Sequence, residues 1–342
     1  MKLIKKICSW VYLIIIKFVL FLYATRILKP YTASSKIISI GNITVGGTGK
    51  TPMIIYFSKL FSKWKINHAI ISRGYKRTSW GDVVVNDGQK TCVDVAQSGD
   101  EPQMLSHALK NIPIVVGNKV SAYQLQKKKF NRDVVLVDDG FQTFKLRRDL
   151  DVVLIDLSSR WKNYMLLPEG QLREPLSSLK RADVIIFTKN NLKSLDAEKI
   201  ESNILGHINK IKTFVGYSNL ESSLLKYKNK KLIRVSEMTI ENKIVAFSGI
   251  ANADSFHIIL KKYFVNIQKI LSFNDHHNYS ENDINDVKNN LKKFNSNTIV
   301  TTLKDLVKIK KNFQDFNIYV VDIQHKIKEE NKLLEYLKKK LI

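Results

Sequence analysis

From residue 36 onward, short apolar runs alternate with stretches of helical period. The runs at 36–40, 69–72, 114–116, 134–137, 152–155 and 184–187 are rich in Ile and Val and too short for helices. Such runs predict strands buried on both faces, as in a parallel sheet. Apolar residues at helical spacing fill 51–64, 101–110 and 119–129 between them, so the pattern predicts a doubly wound, mostly parallel α/β sheet. From 219 to 236 the chain is rich in Lys, Asn, Ser and Tyr and shows no core pattern, which reads as a connection. Beyond it, apolar runs at 244–247, 299–301 and 318–321 alternate with helical stretches at 253–262, 281–294 and 329–341, predicting a second, smaller α/β unit. The expected division is an N-terminal helix over 1–29, the main α/β domain over 30–225 and the smaller one over 226–342.

The first of these runs leads into Gly41-Asn42-Ile43-Thr44-Val45-Gly46-Gly47-Thr48-Gly49-Lys50-Thr51-Pro52, followed by the helical Met53-Ile54-Ile55. A strand, a glycine-rich turn and a helix N-terminus form the setting in which backbone N–H groups cradle phosphate. Residues Thr44 to Thr51 are therefore the candidate ATP-binding loop, with Lys50 supplying charge and Thr51 a hydroxyl for Mg2+. Thr44 stands where the general G-x-x-x-x-G-K-S/T pattern has its first Gly. These elements make the main domain similar to P-loop NTPases.

Four further clusters carry chemistry. Asp138 and Asp139 end the run Val134-Val135-Leu136-Val137, where a carboxylate beside such a loop can hold the metal that bridges nucleotide phosphates. Asp100, in Gly99-Asp100-Glu101-Pro102, could accept a proton from a hydroxyl nucleophile, and a helix cap accounts for it equally well. In Asp275-His276-His277 the adjacent imidazoles should point to opposite faces, which disfavours a shared ion; one of them could orient a catalytic carboxylate. Arg73 and Arg173 lie at turns, where each can clamp a phosphoryl group or form a surface ion pair.

Residues 10–24 are apolar apart from Lys17 and are flanked by Lys2, Lys5, Lys6, Arg26 and Lys29. A cleaved signal would send a nucleotide loop to a compartment without ATP. The remaining readings are a span, which needs ~20 apolar residues, and a helix lying in the interface. Both place the chain at the cytoplasmic side of a membrane. The balance of 56 Lys+Arg against 31 Asp+Glu gives a net charge of +25, suited to anionic partners such as nucleotides and phospholipid headgroups. The positive charge is spread along the chain without an aromatic-interleaved basic element, so nucleic acid is not expected. Cys8 and Cys92 form no C-x-x-C pair and fit a reducing compartment. A non-enzymatic alternative is a membrane-recruited nucleotide switch, because Phe187-Thr188-Lys189-Asn190 resembles a guanine-reading T-K-x-D whose Asp is missing. A kinase of a soluble small molecule is the second alternative.

Taken in order, the loop through Pro52, Ser72-Arg73-Gly74-Tyr75, Gly99-Asp100-Glu101-Pro102, Asp138-Asp139-Gly140-Phe141-Gln142, Leu167-Pro168-Glu169-Gly170 with Arg173-Glu174, Phe247-Ser248-Gly249-Ile250, Asp275-His276 and Thr302-Leu303-Lys304-Asp305 resemble the tetraacyldisaccharide 4'-kinase family. The resemblance runs along most of the chain and includes the Thr at the first loop position. It implies an ATP- and Mg2+-dependent kinase of lipid A biosynthesis that phosphorylates an anionic acylated glucosamine disaccharide at the cytoplasmic face of the bacterial inner membrane, with no protein partner implied. It also implies Lys50 and Thr51 as phosphate and Mg2+ contacts, Asp138 and Asp139 as metal-organising acids, Asp100 as the base and His276 as its partner. Thr143 stands where the family usually has His, and Leu303 where it usually has Glu.

Overall fold

The computed structural model describes every residue except 1, 230, 236–239, 251–252 and 342. The strands are β1 (Lys36–Asn42), β2 (His68–Ser72), β3 (Val83–Asp87), β4 (Pro113–Val116), β5 (Val134–Asp138), β6 (Leu150–Asp156), β7 (Val184–Thr188), β8 (Phe214–Lys228), β9 (Lys231–Arg234), β10 (Ile244–Ser248), β11 (Ile267–Ser272), β12 (Thr298–Thr302) and β13 (Asn317–Ile327). The helices are α1 (Lys2–Ala24), α2 (Lys50–Lys63), α3 (Val95–Ser98), α4 (Asp100–Ala108), α5 (Lys119–Phe130), α6 (Ala197–Leu205), α7 (Ala253–Tyr263), α8 (Glu281–Lys293), α9 (Leu303–Ile309) and α10 (Glu330–Leu341).

In the larger unit the strands follow the order β8-β7-β6-β1-β5-β2-β4-β3, parallel except for the antiparallel edge strand β3. Alternation along β1 divides its core in two. Ile38 and Ile40 pack with Met53, Ile54 and Phe57 of α2 and Leu105 of α4. Ile37 packs on the opposite face with Ala122 and Tyr123 of α5. The sheet is thus covered on both sides, which explains why its strands read as unbroken apolar runs. Because β1 is central, flanked by β5 and β6, its C-terminal end is the crevice where open α/β sheets bind ligands.

In the smaller unit β11, β10, β12 and β13 are parallel, between α7 on one face and α8 and α9 on the other. The two units share β8. Its first residues pair in parallel with β7, ending at Phe187↔Tyr217, and the remainder pairs antiparallel with β13 from Ser218↔Ile327 to Tyr227↔Ile318. The connection expected over 219–236 is therefore largely strand: 219–228 belong to β8 and 231–234 to β9, while 230 and 236 lie outside the described residues. Over these residues β8 and β9 are only intermittently buried, so selection for a core left no apolar run in them to read. The edge strands β3 and β11 also went unread, for the related reason that an edge keeps polar positions. After β13 the chain returns to the larger unit, where Leu333, Leu337 and Leu341 of α10 join the core around α2.

Candidate active site

The loop from Ile43 to Gly49 leaves the end of β1 and turns into α2 at Gly49, which has φ 90° and occupies the helix N-cap. Above Gly46 and Gly47 there is open space: a Cβ built on either would meet no atom within 4 Å. Thr44 bridges to Leu172, and the Val45 N–H donates to the Gln171 carbonyl at 2.8 Å, which fixes the start of the loop. From below, Thr188 Oγ1 donates to the Thr48 carbonyl and Lys189 Nζ to the Gly47 carbonyl, both at 3.0 Å. Thr188 and Lys189 thus spend their polar groups on the loop, not on a guanine base. Asn42 Nδ2 and Thr48 Oγ1 are buried without a hydrogen-bond partner, so polar capacity at the loop is left for a ligand.

Two cations converge on the neighbouring acids. Arg173 makes a bidentate pair with Asp139, at 2.8 Å to each oxygen, and Lys50 Nζ lies 3.6 Å from the same carboxylate. Burial works against ionisation of Asp139, but the Arg173 hydrogen bonds and the Lys50 charge outweigh it and hold the carboxyl at about 2. Asp138, at the end of β5, is buried, and burial pushes its carboxyl up despite the nearby Lys119 charge and the Ser72 hydroxyl at 2.7 Å. Among the described residues no group of three or more His, Cys, Asp or Glu could hold a metal ion. A short acid set with one hydroxyl, Asp138, Asp139 and Thr51, still fits Mg2+, which completes its shell with water and phosphate oxygens. Arg73 is exposed at the turn after β2 and makes no hydrogen bond or ion pair among the described residues.

The sequence-predicted residues of the smaller unit meet the same edge. Asp100 is the first residue of α4, with Gly99 at the N-cap, so capping does not employ its side chain. Its Oδ2 instead accepts from His276 Nδ1 at 3.0 Å and faces Lys308 Nζ at 2.7 Å. Burial raises the Asp100 carboxyl, and these two partners more than offset it, leaving it below the ordinary carboxylate range. His276 packs edge-on against Tyr75 at 5.4 Å, whereas His277 turns away to Asp283 at 3.1 Å, so the two imidazoles do point apart. Gly99 also lets two site loops touch: a Cβ there would lie 2.8 Å from the Tyr75 carbonyl.

Glu101, Lys308 and Lys119 were not singled out by sequence. Burial first, and the Asp138 charge second, push Glu101 up to about 7 between Lys50 and His276. Lys119 is the first residue of α5 and donates to the Asp138 carbonyl at 2.6 Å. Lone lysines on helices carry no local signal, and Glu101, in the first turn of α4, has the ordinary position of an acid that favours a helix N-terminus. Lys308→Met should raise the Asp100 pKa, because one of the partners that depress it is gone. The acid limb of the kcat/KM profile then moves to higher pH; a stationary limb would detach Asp100 from the rate.

The sequence profile described as Tetraacyldisaccharide-1-P 4'-kinase matches residues 1–342. The chain belongs to this family. A tetraacyldisaccharide 4'-kinase of Halothermothrix orenii is 33% identical over 335 residues, covering 93% of this chain and 87% of that protein. The one from Desulfatibacillum aliphaticivorans is 32% identical over 341 residues, covering 98% and 92%. A crystal structure of LpxK from Aquifex aeolicus in complex with ATP superposes with a TM-score of 0.77 at 28% identity, covering 98% of this chain and 97% of that one. The P-loop α/β fold, the kinase class and the lipid A pathway expected from the sequence therefore hold for this member of the tetraacyldisaccharide-1-P 4'-kinase family. Of the family departures, Leu303 is buried in the core of the smaller unit, and Thr143 contributes its carbonyl to Arg148.

Proposed function

We propose that this chain transfers the γ-phosphoryl group of ATP to the 4'-hydroxyl of a tetraacylated glucosamine disaccharide 1-phosphate, with residues 44–51 as the phosphate cradle. The observation that carries the assignment of roles is the Asp100–His276–Lys308 cluster, drawn from both units and facing the same sheet end as the loop. In the resting site Asp100 is ionised and can accept the hydroxyl proton, while His276 and Lys308 orient it and stabilise its charge. Lys50 and Arg73 neutralise phosphoryl oxygens, and Arg173 keeps Asp139 ionised and in place. Asp138, Asp139 and Thr51 would hold Mg2+, which supplies charge neutralisation to the triphosphate when bound. The unit built on β1–β7 carries the nucleotide, and the one built on β10–β13 closes on it through the β8–β13 ribbon, excluding water that would otherwise compete as nucleophile.

Membrane attachment is proposed for α1. One face is docked: Ser9 Oγ donates to the Leu166 carbonyl at 3.0 Å, Tyr12 OH to the Arg173 carbonyl at 3.0 Å, and Tyr23 packs on Phe144 at 5.6 Å. The other face leaves Leu3, Ile4, Ile7, Trp10, Val11, Ile14, Ile15, Phe18 and Phe21 exposed. Docking from Ser9 to Tyr23 takes up ~20 Å of helix. That favours a helix lying in the cytoplasmic interface of the inner membrane beside the active site over a span. Trp10→Ser with Phe18→Ser should release the chain from vesicles of mixed anionic lipids in flotation; unchanged flotation would refute this attachment.

The reaction itself is tested by transfer of labelled γ-phosphate from ATP with Mg2+ to purified tetraacyldisaccharide 1-phosphate in detergent micelles. Label that depends on the acceptor is the expected result. A folded chain that binds ATP and labels no acceptor would overturn the proposed substrate.

A further inference from the structure

His325 lies on β13, in the ribbon that joins the two units, yet its ring is packed against the phosphate loop. Its Nε2 lies 2.9 Å from the Gly49 carbonyl oxygen, and its Nδ1 lies 2.6 Å from Ser218 Oγ. A carbonyl can only accept, so Nε2 carries the proton and Nδ1 accepts from the serine hydroxyl. Burial pushes the ring down to about 4, so it is neutral at physiological pH and keeps this arrangement. The Gly49 carbonyl also receives the Met53 N–H at 3.1 Å, the bond that starts α2. One oxygen thus ties the phosphate loop to both the helix and the ribbon. The packing is close: a Cβ on Gly49 would sit 2.7 Å from His325 Nε2. Ser218 is itself the junction residue, the first of β8 to pair with β13 after the strand leaves β7.

We infer that His325, oriented by Ser218, is a positioning residue for the nucleotide, fixing the end of the phosphate loop from the strand pair that connects the two units. The inference rests on the reading of residues 44–51 as the ATP cradle. A loop whose last peptide is free to rotate would misplace the amide that follows Gly49, at the point where phosphate meets the helix N-terminus. The proposed proton acceptor Asp100 is held by His276 and Lys308, not by His325, so acceptor binding should not feel the loss of this link. The imidazole makes one hydrogen bond to the loop, so its removal should cost roughly tenfold in ATP affinity.

The test compares the full-length His325→Phe and His325→Gln chains by ATP titration and by transfer kinetics with the disaccharide acceptor. Phe keeps a ring of similar size without the donor; Gln restores an N–H near the Nε2 position. His325→Phe is expected to raise the ATP Kd and ATP KM roughly tenfold with the acceptor KM unchanged, and His325→Gln to recover most of that loss. ATP affinity unchanged in His325→Phe would overturn the inference, as would equal losses in both variants, since packing alone would then explain the histidine. Should His325→Phe fail to fold, Ser218→Ala decides, because it leaves the ring and removes the donor that fixes it. A raised ATP KM with an unchanged acceptor KM supports the link, and wild-type values refute it. A wild-type chain that binds no ATP would instead overturn the reading of the loop itself.

Discussion

Asp100→Asn is expected to lower turnover by about a thousandfold, the scale set by loss of a positioned proton acceptor. The substitution preserves shape and leaves the Gly99 cap of α4 untouched. What it removes is the charge that His276 and Lys308 both address through Oδ2. Lys308 is almost fully buried and keeps a second acceptor, the His277 carbonyl at 2.8 Å, so the fold should survive with a lowered Tm. ATP affinity should change little, because Asp100 touches no part of the loop. Single-turnover transfer measured beside ATP titration separates the two effects. Turnover near that of the wild type would remove Asp100 as the proton acceptor and leave the His276 and Lys308 contacts as an ion-pair network holding the units together.

Lys50→Ala should reduce transfer by about a hundred- to a thousandfold, as for loss of one preorganised charge at a developing anion. The reason lies in the division of labour around Asp139. Arg173 occupies both carboxylate oxygens at 2.8 Å, whereas Lys50 stands at 3.6 Å and reaches Asn42 Oδ1 at only 3.3 Å. Lys50 is the cation less committed within the protein and therefore the one available to phosphate. Removing it leaves the Arg173–Asp139 pair intact, so Asp139 stays ionised and the loop retains its anchors at Thr188 and Lys189. The Tm should accordingly hold while acceptor labelling disappears. Labelling that persists at wild-type rates would transfer the phosphate-binding role to Arg73 or Arg173.

Glu101 gives the site a pH dependence distinct from that of Asp100. Its carboxyl is pushed up, to about 7, because it is buried beside Asp138, whereas Asp100 is held down by its two cationic partners. Two adjacent acids at the start of α4 are thus driven in opposite directions, the arrangement by which neighbouring carboxyls acquire different tasks. A raised carboxyl is protonated below its pKa, so the Glu101 charge emerges only as pH rises through about 7.

Local sequence was enough for the phosphate loop, because strand, glycine turn and helix are contiguous from Lys36 to Lys63 and the chemistry follows from their order. It was enough for the central strands as well, whose burial on both faces forces unbroken apolar runs. Asp138, Asp139 and Asp100 were legible as acids at strand or helix ends, although only the fold relieved Asp100 of the alternative role of helix cap. Spacing alone left His276 and His277 equivalent and only the family resemblance pointed to His276; the fold supplies the physical reason, turning His276 toward Asp100 and His277 toward Asp283. The run at 318–321 marked part of β13, but its long pairing with β8, the return of α10 to the larger unit and the reach of His325 to Gly49 left no local trace. A half-exposed strand needs no apolar run, and a contact spanning 276 residues is encoded in no stretch of the chain. Periodicity and short motifs record what a residue needs from its neighbours in sequence; pairing across units is fixed only when both sheets are built and the two strands between them find their register.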